Sequence, residues 1–341
     1  MNLNVKARSM TSSNATERPT YADIEAASEQ LRGLAVVTPL LESPLLNEMI
    51  GGRLLIKAEP LQRTGSFKFR GAYNRISQLS NEERERGVVA YSSGNHAQGV
   101  AAAAHVVGTP AIVVMPRDAP GIKIDNTRAW GAEVVLYERA SESREARSRK
   151  IAEERGMTLV PPFDHPLIIA GQGTVGRELA DQADALDAKL DAVLSPCGGG
   201  GLVSGCATAI RARCPGTDVF SVEPEGFDDT ARSLVSGNRE RAQDDATSFC
   251  DALLAPTPGQ LTFSINYDLL AGGLTASDDE VARAMRLALM YLKLVTEPGG
   301  AVALAAAIAG KYDCRRKTVG IIVSGGNVDP EVFGSALARA A

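Results

Sequence analysis

Aromatic side chains are scarce in this sequence, at 5%, and so are histidines, with three among 341 residues. Those histidines stand far apart, at 96, 105 and 165, and no two of the five cysteines (197, 206, 214, 250 and 314) have CxxC spacing. Nothing here has the pattern of a zinc site. The odd cysteine count also argues against a disulfide framework, so a reducing, cytoplasmic setting is expected. Basic charge is not in excess. Lys plus Arg is 36 against 41 Asp plus Glu, a formal net charge of −5, which excludes nucleic acid as the main partner. No apolar run approaches the roughly 20 residues of a membrane span, the longest being 301–309. Residues 1–20 lack the apolar stretch of a secretory signal and read as a disordered tail. There is no internal repeat and no low-complexity segment. An apolar content of 44% excludes disorder of the chain as a whole, and the length implies about two domains.

Glycine, by contrast, is plentiful, at 33 residues, and its placement is informative. From Tyr21 the pattern turns regular. Thr20 caps a helix over 21–32, with Ile24, Ala27 and Leu31 at helical spacing. Residues 53–58 read as a strand, followed by a Gly-containing loop and a helix from about Ser66. Short apolar runs at 88–91, 111–115, 133–136 and 158–160 then alternate with helical stretches at 95–107, 121–130 and 141–154. That alternation predicts the α/β class, with open, mostly parallel twisted sheets and helices on both faces. A second series has strands at 191–195, 217–223 and 318–323 and helices at 201–213, 278–294 and 300–309. Ser277 and Glu280 open the 278–294 helix as a capping box. The least regular stretch is 238–261. Residues 84–165 are expected to form a small α/β domain inserted between the two parts, 21–83 and 166–341, of a larger one. A ligand is expected in the cleft between them.

Three loops carry chemistry. The strand at 191–195 runs through Pro196 and Cys197 into four consecutive glycines, Gly198, Gly199, Gly200 and Gly201, and then a helix. Glycines let backbone N–H groups crowd round an anion, and the helix N-terminus adds a favourable dipole. The spacing of Gly199, Gly201 and Gly205, with Glu223 ending the next strand, also fits a dinucleotide fingerprint. A nucleotide, another phosphate group and a ligand-free tight turn all remain open. The second loop, RTGSFKFRGA (63–72), puts Lys68 at a helix start among aromatic and small residues. Such a lysine can lose its proton more readily and act as a Schiff-base nucleophile, although alone it reads more simply as a helix-surface lysine. The third, YSSGNHAQG (91–99), opens a helix with polar side chains that suit a carboxylate or merely cap the helix.

Together these loops resemble the threonine dehydratase and serine racemase group of pyridoxal-phosphate enzymes, which has the tryptophan synthase β-subunit fold (fold type II). The resemblance runs from about Tyr21 to Pro330. Its motifs stand in family order: SFKFRGA, SSGNHAQG, AGQGT (170–174), the glycine run, EPGGA (297–301) and SGGNVDP (324–330). SFKFRGA differs from the lysine motif of cysteine synthases, which points to deamination and away from β-replacement.

The resemblance implies a role for each position. Lys68 carries pyridoxal 5′-phosphate as a Schiff base and, once freed, serves as general base on the α-proton. Gly198, Gly199, Gly200 and Gly201, with Leu202, hold the cofactor phosphate. Asn95 bonds the ring hydroxyl, Phe67 lies against the ring and Ser324 meets the pyridine nitrogen. A serine at that place makes the ring a weaker electron sink than an aspartate would, which favours expelling a β-substituent. Ser92, Ser93, Gly94, Asn95 and His96 take the substrate carboxylate. The implied reaction is dehydration and deamination of a β-hydroxy amino acid of the threonine or serine type to a 2-oxo acid and ammonia.

Alternatives stay open. In serine racemases a serine at the place of Ser93 stands on the opposite face from the lysine, so racemase or dual activity is one. A hydroxyaspartate ammonia-lyase is another. A nucleotide-dependent oxidoreductase explains the glycines but leaves Lys68 and SSGNH without a use. In racemase-like members an acid, a carbonyl four residues on and an acid two further bind a divalent cation. Here these are Glu223, Phe227 and Asp229, a set suited to Mg²⁺ or Ca²⁺, the alternative being a solvated acidic loop. The segment 247–259 (TSFCDALLAPTPG) departs from the family's TxADG pattern and is expected near the cofactor or the substrate side chain. A homodimer is the family expectation, with a small amino acid as substrate and no membrane or nucleic acid partner. With the sequence ending at Ala341, feedback through a C-terminal regulatory domain is not expected.

Overall fold

The alternating apolar runs become ten strands in two sheets in a computed structural model that describes residues 17–92, 94–139 and 141–339. In chain order the strands are β1 (Leu40–Leu41), β2 (Arg53–Ala58), β3 (Val88–Tyr91), β4 (Ala111–Pro116), β5 (Glu133–Tyr137), β6 (Thr158–Leu159), β7 (Ala192–Pro196), β8 (Asp218–Pro224), β9 (Gly272–Ala276) and β10 (Thr318–Val323). The larger sheet has the order β1-β2-β10-β7-β8-β9 and the smaller β5-β4-β3-β6. Of these strands only β1 runs antiparallel to its neighbour. Parallel sheets are covered on both faces and read as continuous apolar runs. β10 obeys this, with Val319 to Val323 all buried and Ile321 registered on Ile56 and Leu194.

Helix starts follow the capping residues. Thr20 and Ser277 each complete a capping box, with Asp23 and Glu280. The helix expected over 278–294 is α-helical only from Asp278 to Leu287. It then widens into a π-turn, Ala288–Leu292, and stops where Lys293 takes a left-handed conformation with φ of 57°. Among the helices outside the sequence expectations are Pro166–Asp184, which opens on a proline, and Gln260–Leu269. The first starts from His165, whose Nδ1 accepts the Leu167 N–H at 3.1 Å, an unusual cap that sequence patterns do not flag.

Glycine explains how closely these helices pack. A Cβ on Gly171 would lie 2.6 Å from Gly71 Cα, where helix Pro166–Asp184 crosses helix Lys68–Ile76. A Cβ on Gly205 would lie 2.4 Å from Ile169 O, at the crossing of the same long helix with helix Gly201–Arg213. The AGQGT motif is thus a helix-crossing surface. Beneath the first crossing, the buried Arg70 guanidinium donates to Glu59 at 2.8 Å and Glu178 at 2.6 Å, while Lys57 Nζ meets Glu178 at 2.7 Å. Burial works against charge on Arg70, but the two carboxylates outweigh it and hold its pKa above the ordinary value. This network ties the Lys68 helix to β2, and truncating one member of such a set costs about 3–5 kcal/mol. Among the described residues no helix is long and apolar enough to cross a membrane.

Candidate active site

Parallel strands present their C-terminal ends to ligands, and β3, β7 and β10 do so here on one pocket between the sheets. Phe67, Lys68, Ser92, Gly94, Asn95, His96, Gly198, Gly199, Gly200, Gly201, Leu202 and Ser324 all line it. Every cofactor or carboxylate position expected from the sequence is therefore in one place, except Ser93, which lies outside the described residues, as do residues 1–16 of the expected tail.

Lys68 opens its helix with its amine buried, 5.1 Å from the Phe67 ring centroid and donating to Pro162 O at 2.8 Å. Burial lowers its pKa to about 8, against the opposing pull of Glu297. His96 is neutral. Burial, with Lys68 nearby, lowers its pKa to about 3, and its Nε2 faces Val160 O at 3.0 Å, leaving Nδ1 buried without a partner among the described residues.

Three of the four glycines, Gly199, Gly200 and Gly201, leave no room for a Cβ unless a neighbour moves. A Cβ on Gly199 would stand 2.3 Å from the Phe163 ring, and one on Gly201 would stand 2.9 Å from Phe163 Cβ. Gly200 has φ of 95°, a conformation that suits glycine. A Cβ there would stand 2.9 Å from Thr262 Cβ and 3.0 Å from Asn266 Nδ2. That amide nitrogen is buried and unpartnered among the described residues, because Ser204 Oγ fixes the amide by donating to Asn266 Oδ1 at 2.8 Å.

Several pocket residues had no signal in the sequence. Lys123, from helix Gly121–Ala129, passes through the space that a side chain at Gly94 would fill, its Cδ 2.3 Å from that Cβ position. Its Nζ pairs with Asp251 at 2.7 Å and with Glu297 at 3.2 Å. Burial opposes this charge, but Glu297 and Asp251 hold the lysine pKa above its usual value. Glu297 also accepts from Asn95 Nδ2, and Asn95 Oδ1 accepts from Asn327 Nδ2 at 2.9 Å, so the Asn95 amide is fixed from both ends. Residues 251–255 of the departing segment line the pocket, as expected of that stretch. Arg144 lines it too, 5.6 Å from the Tyr91 ring centroid, its Nε donating to Glu145 at 2.8 Å.

Away from the pocket wall, Glu223 is buried at the end of β8 and its carboxylate accepts the N–H groups of Thr230 at 2.9 Å and Ala231 at 2.8 Å. Burial and then Asp229 push Glu223 up to about 8, and burial pushes Asp229 up to about 7. Asp229 Oδ2 is buried without a partner among the described residues, and no three His, Cys, Asp or Glu side chains there form a metal-binding group.

Many known proteins match this chain. The family described as "Pyridoxal-phosphate dependent enzyme" matches residues 31–325. The L-threo-3-hydroxyaspartate ammonia-lyase of Pseudomonas sp is 45% identical over 317 residues, 93% of this chain and 98% of that protein. The serine racemase of Schizosaccharomyces pombe is 40% identical over 322 residues, 94% of this chain and 98% of the other. The crystal structure of the T.th. threonine deaminase superimposes with a TM-score of 0.86 at 45% identity, covering 91% of this chain and 99% of that one. A family match of that span, with relatives so similar along the whole pocket-bearing region, means that this chain belongs to the pyridoxal-phosphate-dependent enzymes, within the group of threonine deaminase, hydroxyaspartate ammonia-lyase and serine racemase.

Proposed function

We propose that this chain catalyses the dehydration and deamination of a β-hydroxy amino acid to a 2-oxo acid and ammonia. The observation that carries this reading is the Lys68 amine, buried in the pocket with its pKa lowered to about 8 and facing the same space as the glycine cradle and Ser324. The residues suit pyridoxal phosphate. The cradle borders an orphaned amide, and Ser324 lines the same pocket. When bound, the cofactor supplies the electron sink that no side chain offers. Backbone N–H groups of Gly198, Gly199, Gly200, Gly201 and Leu202 would hold its phosphate, Asn95 its ring hydroxyl and Ser324 its ring nitrogen, with Phe67 alongside. Lys68 Nζ takes the proton from the substrate Cα, a task that suits an amine titrating near neutral pH. Neutral His96 adds no charge that would oppose this. The loop from Ser92 to His96 would hold the substrate carboxylate.

The test is a substrate panel of L-serine, L-threonine and 3-hydroxyaspartate, followed by 2-oxo acid formation and by chiral chromatography. 2-Oxo acid as the main product supports the reading. D-serine outpacing pyruvate would make the chain an isomerase, with Ser93 as the residue to replace next.

Arg144 favours a narrower reading, a substrate with a second carboxylate. Lys123 is held between two carboxylates, Asp251 and Glu297, whereas Arg144 pairs with Glu145 through Nε alone and its Nη groups have no partner among the described residues. Arg144→Leu is expected to lower kcat/KM for 3-hydroxyaspartate by roughly 10–100-fold, the loss typical of an unmade charged hydrogen bond. The same change leaves threonine nearly untouched. Equal losses on both substrates would remove this narrower reading.

We also propose a divalent cation at Glu223, the Phe227 carbonyl and Asp229, which water ligands would complete. The unpartnered Asp229 oxygen beside a second raised carboxylate supports it. Chelation is expected to lower the Tm by a few degrees and Mg²⁺ to restore it. A ligand at 100 times its Kd contributes about 2.7 kcal/mol, and an unchanged melting curve would exclude a bound ion. A homodimer and a cytoplasmic setting complete the reading. All five cysteines are free, and light scattering on the reduced protein tests the dimer.

A further inference from the structure

We propose that Asp164 is a positioning residue for the cofactor phosphate, anchoring a clamp that keeps the glycine cradle and Lys68 in register. The inference rests on the pyridoxal-phosphate reading above and extends it to a residue outside the family motifs. Asp164 belongs to the short loop 161–165, by which the chain returns from β6 of the small sheet to helix Pro166–Asp184. Three successive residues of this loop do three different things. Pro162 O accepts the Lys68 amine at 2.8 Å. Phe163 packs against Gly199 and Gly201, so closely that a Cβ on either would displace it. The Asp164 carboxylate accepts three successive N–H groups at the start of helix Gln260–Leu269, from Gln260 at 2.9 Å, Leu261 at 3.0 Å and Thr262 at 3.1 Å.

That helix start is itself bonded to the cradle. Thr262 Oγ1 donates to Gly199 O at 2.7 Å, and Gly259 N donates to the same oxygen at 3.2 Å. In a trans peptide the C=O and the following N–H point in opposite directions. Holding the Gly199 carbonyl on the helix side therefore turns the Gly200 N–H away from the helix. Gly259 also has to be glycine, since a Cβ there would stand 2.3 Å from Asp164 Oδ1. Asp164 thus fixes the helix start, the helix start fixes the Gly199–Gly200 peptide, and the neighbouring Pro162 holds the amine.

A phosphate-selective effect separates this role from simple destabilisation. Pyridoxal 5′-phosphate and pyridoxal, which lacks the phosphate, are titrated into the apoprotein, with Kd read from the visible absorbance of the lysine-bound aldehyde. Asp164→Ala is expected to weaken pyridoxal phosphate by about 10-fold, the order of one hydrogen bond, and pyridoxal by less than about 2-fold. Asp164→Asn is expected to recover most of the loss, because Oδ1 still accepts Leu261 and Thr262. Thr262→Val leaves the cap intact, removes only the bond to Gly199 O, and is expected to show the same selectivity. This variant decides the matter if Asp164→Ala does not fold. Equal losses for the two aldehydes, or variants that match the parent, overturn the proposal alone. A parent chain that takes up neither aldehyde overturns the cofactor reading as well.

Discussion

Lys68→Ala is expected to lower turnover by at least about 10³-fold and to abolish both the visible absorbance of the bound cofactor and its borohydride-stable attachment to the chain. General base catalysis alone contributes roughly 10²–10⁴, and the same amine also holds the cofactor. No neighbour can stand in for it. Lys123 lines the same pocket but is held charged between Asp251 and Glu297, and His96 is neutral and turned to a backbone carbonyl. The lowered amine pKa has a direct correlate. Only the neutral amine attacks an aldehyde, so uptake of pyridoxal phosphate by the apoprotein is expected to quicken as pH rises and to level off above about 8. Glu297 opposes that lowering, so Glu297→Gln is expected to move the plateau to lower pH. Stopped-flow absorbance measures both. A Lys68→Ala protein that keeps full activity would dispose of the functional reading.

Gly171→Val is expected to be the most damaging change outside the pocket. A Cβ at Gly171 would stand 2.6 Å from Gly71 Cα, 2.8 Å from Arg70 O and 2.9 Å from Gly71 N. All three are backbone atoms, so no side chain can swing aside, and the two helices must separate. Overpacking of this kind costs about 1–3 kcal/mol, occasionally more, and the larger branched side chain adds to it. The helix that moves begins with Lys68. A displacement of about 1 Å at a reacting group costs on the order of 10² in rate, so kcat is expected to fall in protein that still folds. Gly334→Ala is the control. Nothing lies within 4 Å of its Cβ position, and it sits inside helix Pro330–Arg339, so a gain of about 0.5–1 kcal/mol is expected. Urea denaturation of both variants, with kcat on the folded fraction, makes the comparison.

What the sequence revealed and what it hid divide along a physical line. Local devices were legible. The cap at Thr20, the capping box at Ser277, the apolar runs of parallel strands and the glycines after β7 each depend on residues a few positions apart. Contacts between distant segments were not. Lys123 and Asp251 are 128 positions apart, and nothing near either residue announces the pair. Arg144 stands in a helix crowded with other charges, Arg144–Arg155, where no local pattern marks the one that reaches the pocket. AGQGT stands out in the sequence as a motif, but the reason for its glycines, a helix crossing, exists only in three dimensions. The segment 247–259 marks itself by breaking a pattern, and its first pocket residue, Asp251, is the one that meets Lys123.

The strand order also sets when the protein becomes competent during its synthesis. The small sheet uses only residues 88–159 and is complete early in translation. The large sheet is not, because β10, the last strand made, lies between β2 and β7. Until it leaves the ribosome, β1 and β2 have no bond to β7, β8 and β9, and the Ser324 wall of the pocket does not exist. Such long-range pairing is slow and leaves strand edges exposed. A stalled nascent chain ending before residue 318 is therefore expected to take up no pyridoxal phosphate, however complete its glycine cradle and its Lys68 loop.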